Sequence, residues 1–356
     1  DAVLAEIRRA RRPLIVMGPV MANAHALRGR LATATGAPVV CMESPRGVSD
    51  PRLGAYADML KEADLLVLVG KHPDFSLRFG AVLAAACRCI VIDPDAGTLA
   101  RAKTTLGADR VALAAVADSA AAAEALAARA GPRLASSAWA GEVEAAVRYR
   151  PPEWMGIASR AEGPLHPVEI GRAVQKIVDR SPDAVLVVDG GEFGQWAQAC
   201  VSAPTRLING VGGSIGSAIP FALAARIARP AAPVIALLGD GTFGFHLSEF
   251  DTAARARLPF VAVIGNDACW NAEHQIQLRA YGRERAHSCE LLPARYDLAV
   301  AALGGHGEYV TRAAELPAAL ERAVASGKAA CVNVMIERLP APVVARAQAT
   351  HAGAVH

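Results

Sequence analysis

Residues 234–266 read VIALLGDGTFGFHLSEFDTAARARLPFVAVIGN, and this stretch limits the fold more than any other. Residues 234–238 are a short, uninterrupted apolar run, as expected of a strand buried on both faces of a parallel sheet. Gly239 and Gly241 allow a tight turn around Asp240. The spacing of Leu247, Phe250, Ala254 and Leu258 predicts a helix over 245–257, and the β-branched run 260–264 closes a strand–helix–strand unit. Ligands of such units sit at the carboxyl ends of the strands. Asp240 and Asn266 both fall there.

The same alternation recurs along the chain, and the fold class expected is α/β with two doubly wound parallel-sheet domains. The chain has 356 residues, 53% of them apolar, which is enough for two cores. Strands are expected at 13–17, 38–42, 64–69 and 88–92, with helices around 24–35 and 79–86, giving a Rossmann-like domain over 1–130. The Ala-rich stretch 112–130 reads as surface helix. Residues 131–164, punctuated by Pro151-Pro152 and Gly163-Pro164, read as a linker holding one helix over 140–148. A second domain over 165–340 opens with a helix at 168–178 and a strand at 184–188, and 341–356 form a tail that is a lid or disordered.

Composition removes several function classes. The net charge of +3 comes without a Lys/Arg run, so nucleic acid is not an expected partner. The apolar runs are strand-sized, so no membrane span is expected. Seven scattered cysteines without metal-ligand spacing fit a reducing cytoplasm.

Taken singly, Asp240 would cap a helix and Asn266 would make a turn. Together they offer a carboxylate and an amide oxygen beside a glycine turn, which is what a magnesium-diphosphate site needs. Two further glycine loops support this reading. Asp189 to Phe193 ends a strand with two glycines, where backbone N–H groups can face a diphosphate, and Val211 to Gly216 opens an apolar helix. In the first domain no G-x-G-x-x-G follows a strand, which argues against a dinucleotide such as FAD.

Gly239-Asp240-Gly241 followed by Asn266 resembles the signature of thiamine diphosphate enzymes, in the group of acetolactate synthase, pyruvate decarboxylase and 2-hydroxyacyl-CoA lyase. The resemblance implies that Asp240, Asn266 and the Ala268 carbonyl ligate Mg²⁺. It implies that Gly191, Glu192, Phe193, Gly213, Ser214, Gly239, Gly241 and Thr242 contact the cofactor. Ile215 matches the aliphatic wedge that holds its two rings in a V, and Gly213 the residue whose carbonyl meets the aminopyrimidine. Trp270, His274 and Gln277 are substrate-side candidates, the alternative being a helix whose polar residues meet solvent. His246 and Glu249 are assigned structural roles. The resemblance also implies a central domain that can bind an ADP or CoA moiety, with Lys71, His72 and Arg78 as candidates and plain surface exposure the favoured reading.

The family's activating glutamate lies on a separate pyrimidine-binding domain, and no Glu of this sequence takes that part. The chain begins at Asp1, so the expectation is a longer native chain or a second subunit, with a homodimer or homotetramer by resemblance. The activity expected is that of a lyase or carboligase acting on a 2-oxo acid or 2-hydroxyacyl substrate. The alternatives are a 2-hydroxyacyl-CoA lyase or oxalyl-CoA decarboxylase, and, in another class, a non-catalytic nucleotide-binding or regulatory subunit.

Overall fold

The structure is a computed structural model that describes residues 1–130, 137–210 and 212–345. Two all-parallel sheets carry it. The first contains β1 (Pro13–Met17), β2 (Val39–Cys41), β3 (Leu65–Val69), β4 (Arg88–Asp93) and β5 (Val111–Val116), in the order β2-β1-β3-β4-β5. The second contains β6 (Val185–Val188), β7 (Thr205–Ile208), β8 (Val234–Gly239), β9 (Val261–Asn266), β10 (His306–Val310) and β11 (Ala330–Met335), in the order β10-β11-β9-β8-β6-β7.

The uninterrupted apolar runs are explained by burial on both faces. In β1, Leu14 and Val16 enter one hydrophobic cluster while Ile15 and Met17 enter another. In β8, Ile235 and Leu237 face one cluster, and Ala236 and Leu238 the opposite one. Each sheet is therefore the middle layer of a three-layer unit.

The expected strands fall in place within a residue or two, but three local expectations need correction. The helix expected over 79–86 is a 3-10 turn, Phe75–Gly80, followed by irregular chain. Arg78, Phe79 and Gly80 take φ of 49°, 51° and 86°, and the Asp74 carboxylate accepts the Ser76 N–H, so the chain turns tightly where a helix would run on. Residues 112–130 are not all helix. β5 occupies Val111–Val116 and pairs with β4 from Cys89↔Val111 to Asp93↔Val116, and the helix is Ser119–Arg129. As a half-exposed edge strand, β5 needs little apolar bulk, which hides it among alanines. The helix after β8 begins at Asp240 itself (Asp240–Gly244), breaks, and resumes as Glu249–Ala256.

The helix expected in the linker, observed as Ser137–Arg148, packs on the first domain. Its Trp139, Val143 and Ala146 join the core of that domain, and Trp139 Nε1 donates to the Pro13 carbonyl at 2.9 Å. Residues 131–136 of the expected linker, Val211 of the glycine loop and 346–356 of the tail lie outside the described residues.

The domains meet through a polar seam. The Asn23 side chain exchanges two hydrogen bonds with the Arg206 backbone, at 2.9 and 3.0 Å. Buried Glu43 of the first domain accepts from Arg52 Nε at 2.8 Å and from Arg206 Nε of the second at 3.1 Å. Arg150 bonds carbonyls of Arg52 and Ala199, one from each domain. Among the described residues no helix is long and apolar enough to cross a membrane.

Candidate active site

A cavity of about 290 Å³ lies at the carboxyl ends of the second sheet. Its walls come from the ends of β6, β8 and β9, from the loop at 212–215 and from the helix that opens at Asn271. Pro45, Arg46 and Phe75 close it from the first domain.

Asp240 is the centre of the site. It is the first residue of its short helix, directly after β8, and only 2% of its surface is exposed. Its Oδ2 is buried and has no hydrogen-bond partner. Burial pushes its carboxyl up to about 6, partly offset by the backbone N–H groups of Gly241, Cys269 and Ala268. Neighbouring Asp267 rises further, to about 7, through burial and then the charge of Asp240. Two acids raised by desolvation, one with an orphaned oxygen, form a site short of positive charge. Among the described residues no three His, Cys, Asp or Glu side chains cluster as a metal cage. A cation here would be held by one carboxylate with neutral oxygens, a set that suits magnesium.

The glycine loops are shaped by what they touch. A Cβ on Gly190 would sit 2.2 Å from Ile215 Cγ2, so this glycine is what lets Ile215 lie against the strand end. A Cβ on Gly241 would meet the Trp270 ring at 2.6 Å, and one on Gly265 would meet the Phe193 ring at 2.3 Å. Gly191 opens the helix Gly191–Cys200, whose first N–H groups border the cavity and give it a favourable end for an anion.

Among the site residues expected from the sequence, Gly191, Glu192, Phe193, Gly213, Ile215, Gly239, Asp240, Gly241, Thr242 and Trp270 all line this cavity. Ser214 is exposed and is not part of its lining. His274 and Gln277 do not line it either. Gln277 is held away, accepting the His287 N–H at 2.8 Å and donating to Cys289 Sγ at 3.4 Å. His246 Nδ1 lies 2.6 Å from the Gly216 carbonyl oxygen.

Asn266 ends β9 and is fully buried. Its Nδ2 donates to the Ala294 carbonyl and to Asn333 Oδ1, both at 3.1 Å, and its Oδ1 accepts the Ala268 N–H at 3.2 Å. Ala268 has φ of 52°, unusual for a residue with a Cβ, so the loop is held in a costly shape by its surroundings. Its carbonyl accepts from the Leu291 N–H at 2.8 Å and from Arg338 Nη2 at 3.1 Å. Asn266 and Ala268 thus build the loop that faces Asp240, but neither lines the cavity, whose wall here is Gly265, Asp267 and Cys269.

Lys71 differs from its expected exposure. It is buried, with Nζ donating to Asp74 Oδ1 at 3.2 Å, Ser76 Oγ at 2.5 Å and the His72 carbonyl at 3.0 Å. Its donors are used within the domain, and His72 pairs with Asp93 at 3.2 Å.

Sequence reading missed Asp189 as a site residue. Its carboxylate accepts the N–H groups of Gly190 at 2.6 Å, Gly216 at 3.0 Å and Ala218 at 2.8 Å. It therefore ties the loop carrying Ile215 to the end of β6. An acid placed directly before two glycines at a strand end was the available signal. Glu192, expected from the sequence to contact the cofactor, carries an uncompensated group of its own. It is buried, Oε2 lacks a hydrogen-bond partner, and burial raises its pKa above the usual carboxylate range, with Arg46 at 3.9 Å as its counter-charge.

Glycine-turned strand ends, two helix starts and two carboxylates with orphaned oxygens, Asp240 and Glu192, define an anion-and-cation site of the doubly wound α/β class. Comparison with known proteins gives the family. Residues 1–126 match the central domain of thiamine pyrophosphate enzymes, and residues 189–334 match their C-terminal TPP binding domain. The chain belongs to the thiamine pyrophosphate enzyme family. It is 35% identical over 349 residues to a probable acetolactate synthase of Mycobacterium bovis and to the acetolactate synthase large subunit IlvG of Mycobacterium tuberculosis. Each of these matches covers 95% of this chain and 61% of the relative. It is 31% identical over 327 residues to 2-hydroxyacyl-CoA lyase 2 of Homo sapiens, covering 86% of this chain and 49% of that protein. The chain thus spans about three fifths of the length of the first two relatives and half that of the third.

Proposed function

We propose that the chain supplies the diphosphate-binding half of a magnesium- and thiamine diphosphate-dependent lyase or carboligase, acting on a 2-oxo acid or a 2-hydroxyacyl thioester. The observation that carries this reading is the buried, unpartnered Asp240 Oδ2 in a cavity walled by glycines and helix starts. Asp240 would hold Mg²⁺, with the amide oxygen of Asn266 and the carbonyl of Ala268 as its neutral oxygens. The N–H groups opening the helix Gly191–Cys200 would meet phosphate oxygens. The bound thiazolium supplies an electron sink for making or breaking a carbon–carbon bond beside a carbonyl.

The remaining roles fall to side chains of this chain. Ile215, pressed against Gly190, would pack against the bound cofactor, and Asp189 fixes the loop that presents it. Trp270, stacked edge-to-face on Phe245 with centroids 6.0 Å apart and covering Gly241, walls the substrate side and limits water entry. Glu192, whose carboxyl burial holds above its usual range, lines the cavity with an unpartnered Oε2 and could exchange a proton there. The activating carboxylate is expected from a pyrimidine-binding domain, on the same longer chain or on a second subunit in a homodimer or homotetramer.

Turnover by the full-length protein tests the reading. Pyruvate consumption with Mg²⁺ and thiamine diphosphate, lost in Asp240→Asn, is the expected result for the free-acid substrate. Cleavage of a 2-hydroxyacyl-CoA, with inhibition by free CoA, points to the thioester instead. Neither turnover nor stabilisation by the cofactor would leave the regulatory-subunit reading and overturn this one.

A further inference from the structure

One helix face of the cofactor cavity carries acceptors that nothing among the described residues meets. Gly191, Glu192 and Gln195 all line the cavity from the helix Gly191–Cys200. Glu192 and Gln195 are three positions apart and so share one side of that helix. They are 5% and 4% exposed, and Glu192 Oε2 and Gln195 Oε1 are each buried without a hydrogen-bond partner. Among the described residues Arg46 is the one cation lining the cavity, and at 3.9 Å from Glu192 Oε2 it lies beyond hydrogen-bond reach. That contact puts the pair on the side of the cavity closed by the first domain.

A buried acceptor left unmade is costly, so this face asks for a ligand that brings a hydrogen-bond donor. Diphosphate oxygens bound to a metal only accept. The carbonyl and carboxylate oxygens of a simple 2-oxo acid such as pyruvate also only accept near neutral pH. A hydroxyl group donates as well as accepts, and it is small enough to lie against a helix face. The Gln195 amide makes no hydrogen bond to any described residue, so it is left for what enters the cavity.

We propose that Gln195, with Glu192 beside it, reads a hydroxyl group of the substrate, so that the favoured acyl donor is a hydroxyl-bearing one. Two sources share that chemistry, a hydroxylated 2-oxo acid and a 2-hydroxyacyl thioester. The inference rests on the lyase or carboligase reading above and narrows its substrate class. A site that hydrogen-bonds a substrate hydroxyl rejects the analogue lacking it more strongly than an apolar pocket does, because its polar groups are then left unmet. Gln195 is therefore a specificity residue. Replacing it removes the preference for the hydroxyl and leaves the bond-making machinery around Asp240 in place.

The test compares kcat/KM of the full-length enzyme for hydroxypyruvate and for pyruvate, which differ by a single hydroxyl. The parent should prefer hydroxypyruvate at least about tenfold, and Gln195→Met should lose most of that preference. Cleavage of a 2-hydroxyacyl-CoA that falls about tenfold in Gln195→Met, with no preference between the two acids, would assign the hydroxyl to the thioester. The amide removed has no partner in the protein, so the unfolding temperature of Gln195→Met without ligand should not drop. Thermal stabilisation of the cofactor-loaded parent by lactate over propionate makes the same comparison without turnover. If no acid or thioester reacts, the proposed function fails, and the lactate comparison still decides this inference. A hydroxyl preference in none of these comparisons would mean that water fills the recess, and overturns the proposal. Gln195→Met losing cofactor binding, or losing both acids equally, would show a structural role and also overturns it.

Discussion

Asp240→Asn separates the cost of the site from its use. In the folded chain the Asp240 carboxyl is pushed up to about 6, against an ordinary value of 3.8, and burial is the main cause. The folded state therefore holds the proton more tightly than the unfolded chain does. Stability from this group is fully present below pH ~4, is lost as pH rises from ~4 to ~6, and stays lost above. A shift of about two units corresponds to ~3 kcal/mol at pH 8. The asparagine removes the charge but leaves an amide donor at the unpartnered Oδ2 position, a cost of about 1–2 kcal/mol. The variant should thus be more stable than the parent by about 1–2 kcal/mol at pH 8, or roughly 2–8 °C in Tm. Near pH 4 the advantage should vanish. The assay is thermal unfolding in EDTA across this range, followed by the same scan with Mg²⁺ and thiamine diphosphate. With cofactor the order should reverse, because only the parent gains binding energy. A variant no more stable than the parent at pH 8 in EDTA, or one that gains equally at pH 4 and pH 8, would refute the reasoning.

Three further substitutions probe the supports of the site. Asp189→Asn leaves backbone N–H groups of the Ile215 loop without their shared anionic acceptor, and should cost about 1–3 kcal/mol by denaturant unfolding and weaken cofactor binding. Gly190→Ala places a methyl 2.2 Å from Ile215 Cγ2, so cofactor affinity should fall while overpacking costs about 1–3 kcal/mol, read by calorimetry and by Tm. Arg206→Met leaves buried Glu43 with Arg52 as its one cation and should destabilise by about 3 kcal/mol in urea unfolding, with Glu43→Gln restoring part of the loss.

Much of the architecture was legible because parallel strands buried on both faces write themselves as uninterrupted apolar runs. β1, β3, β8 and β9 were readable for that reason, and so were Asp240 and Asn266 at two of their ends. Edge position hid β5, since a half-exposed strand tolerates the alanines that elsewhere signal helix. The chain near Phe79 was misread because its shape depends on the Asp74 cap and on consecutive positive φ values, which helical periodicity does not report. Within the site, residues acting through the backbone were the hardest to find. Asp189 works by gathering N–H groups from a loop 27–29 residues away in sequence, a contact that exists only once the sheet has formed. Gln277 shows the converse: helical spacing places it near Trp270, yet its amide is held by His287 and Cys289. Lys71 looked like a surface charge and is a buried structural one.

The central claim is that Asp240 and the glycine-walled cavity hold a magnesium-diphosphate group, and titration of the full chain with thiamine diphosphate tests it most directly. With Mg²⁺ present, saturable binding is expected. It should disappear in EDTA, in Asp240→Asn, and when thiamine without its diphosphate replaces the cofactor. Binding that persists in EDTA, or that Asp240→Asn leaves unchanged, would contradict the claim.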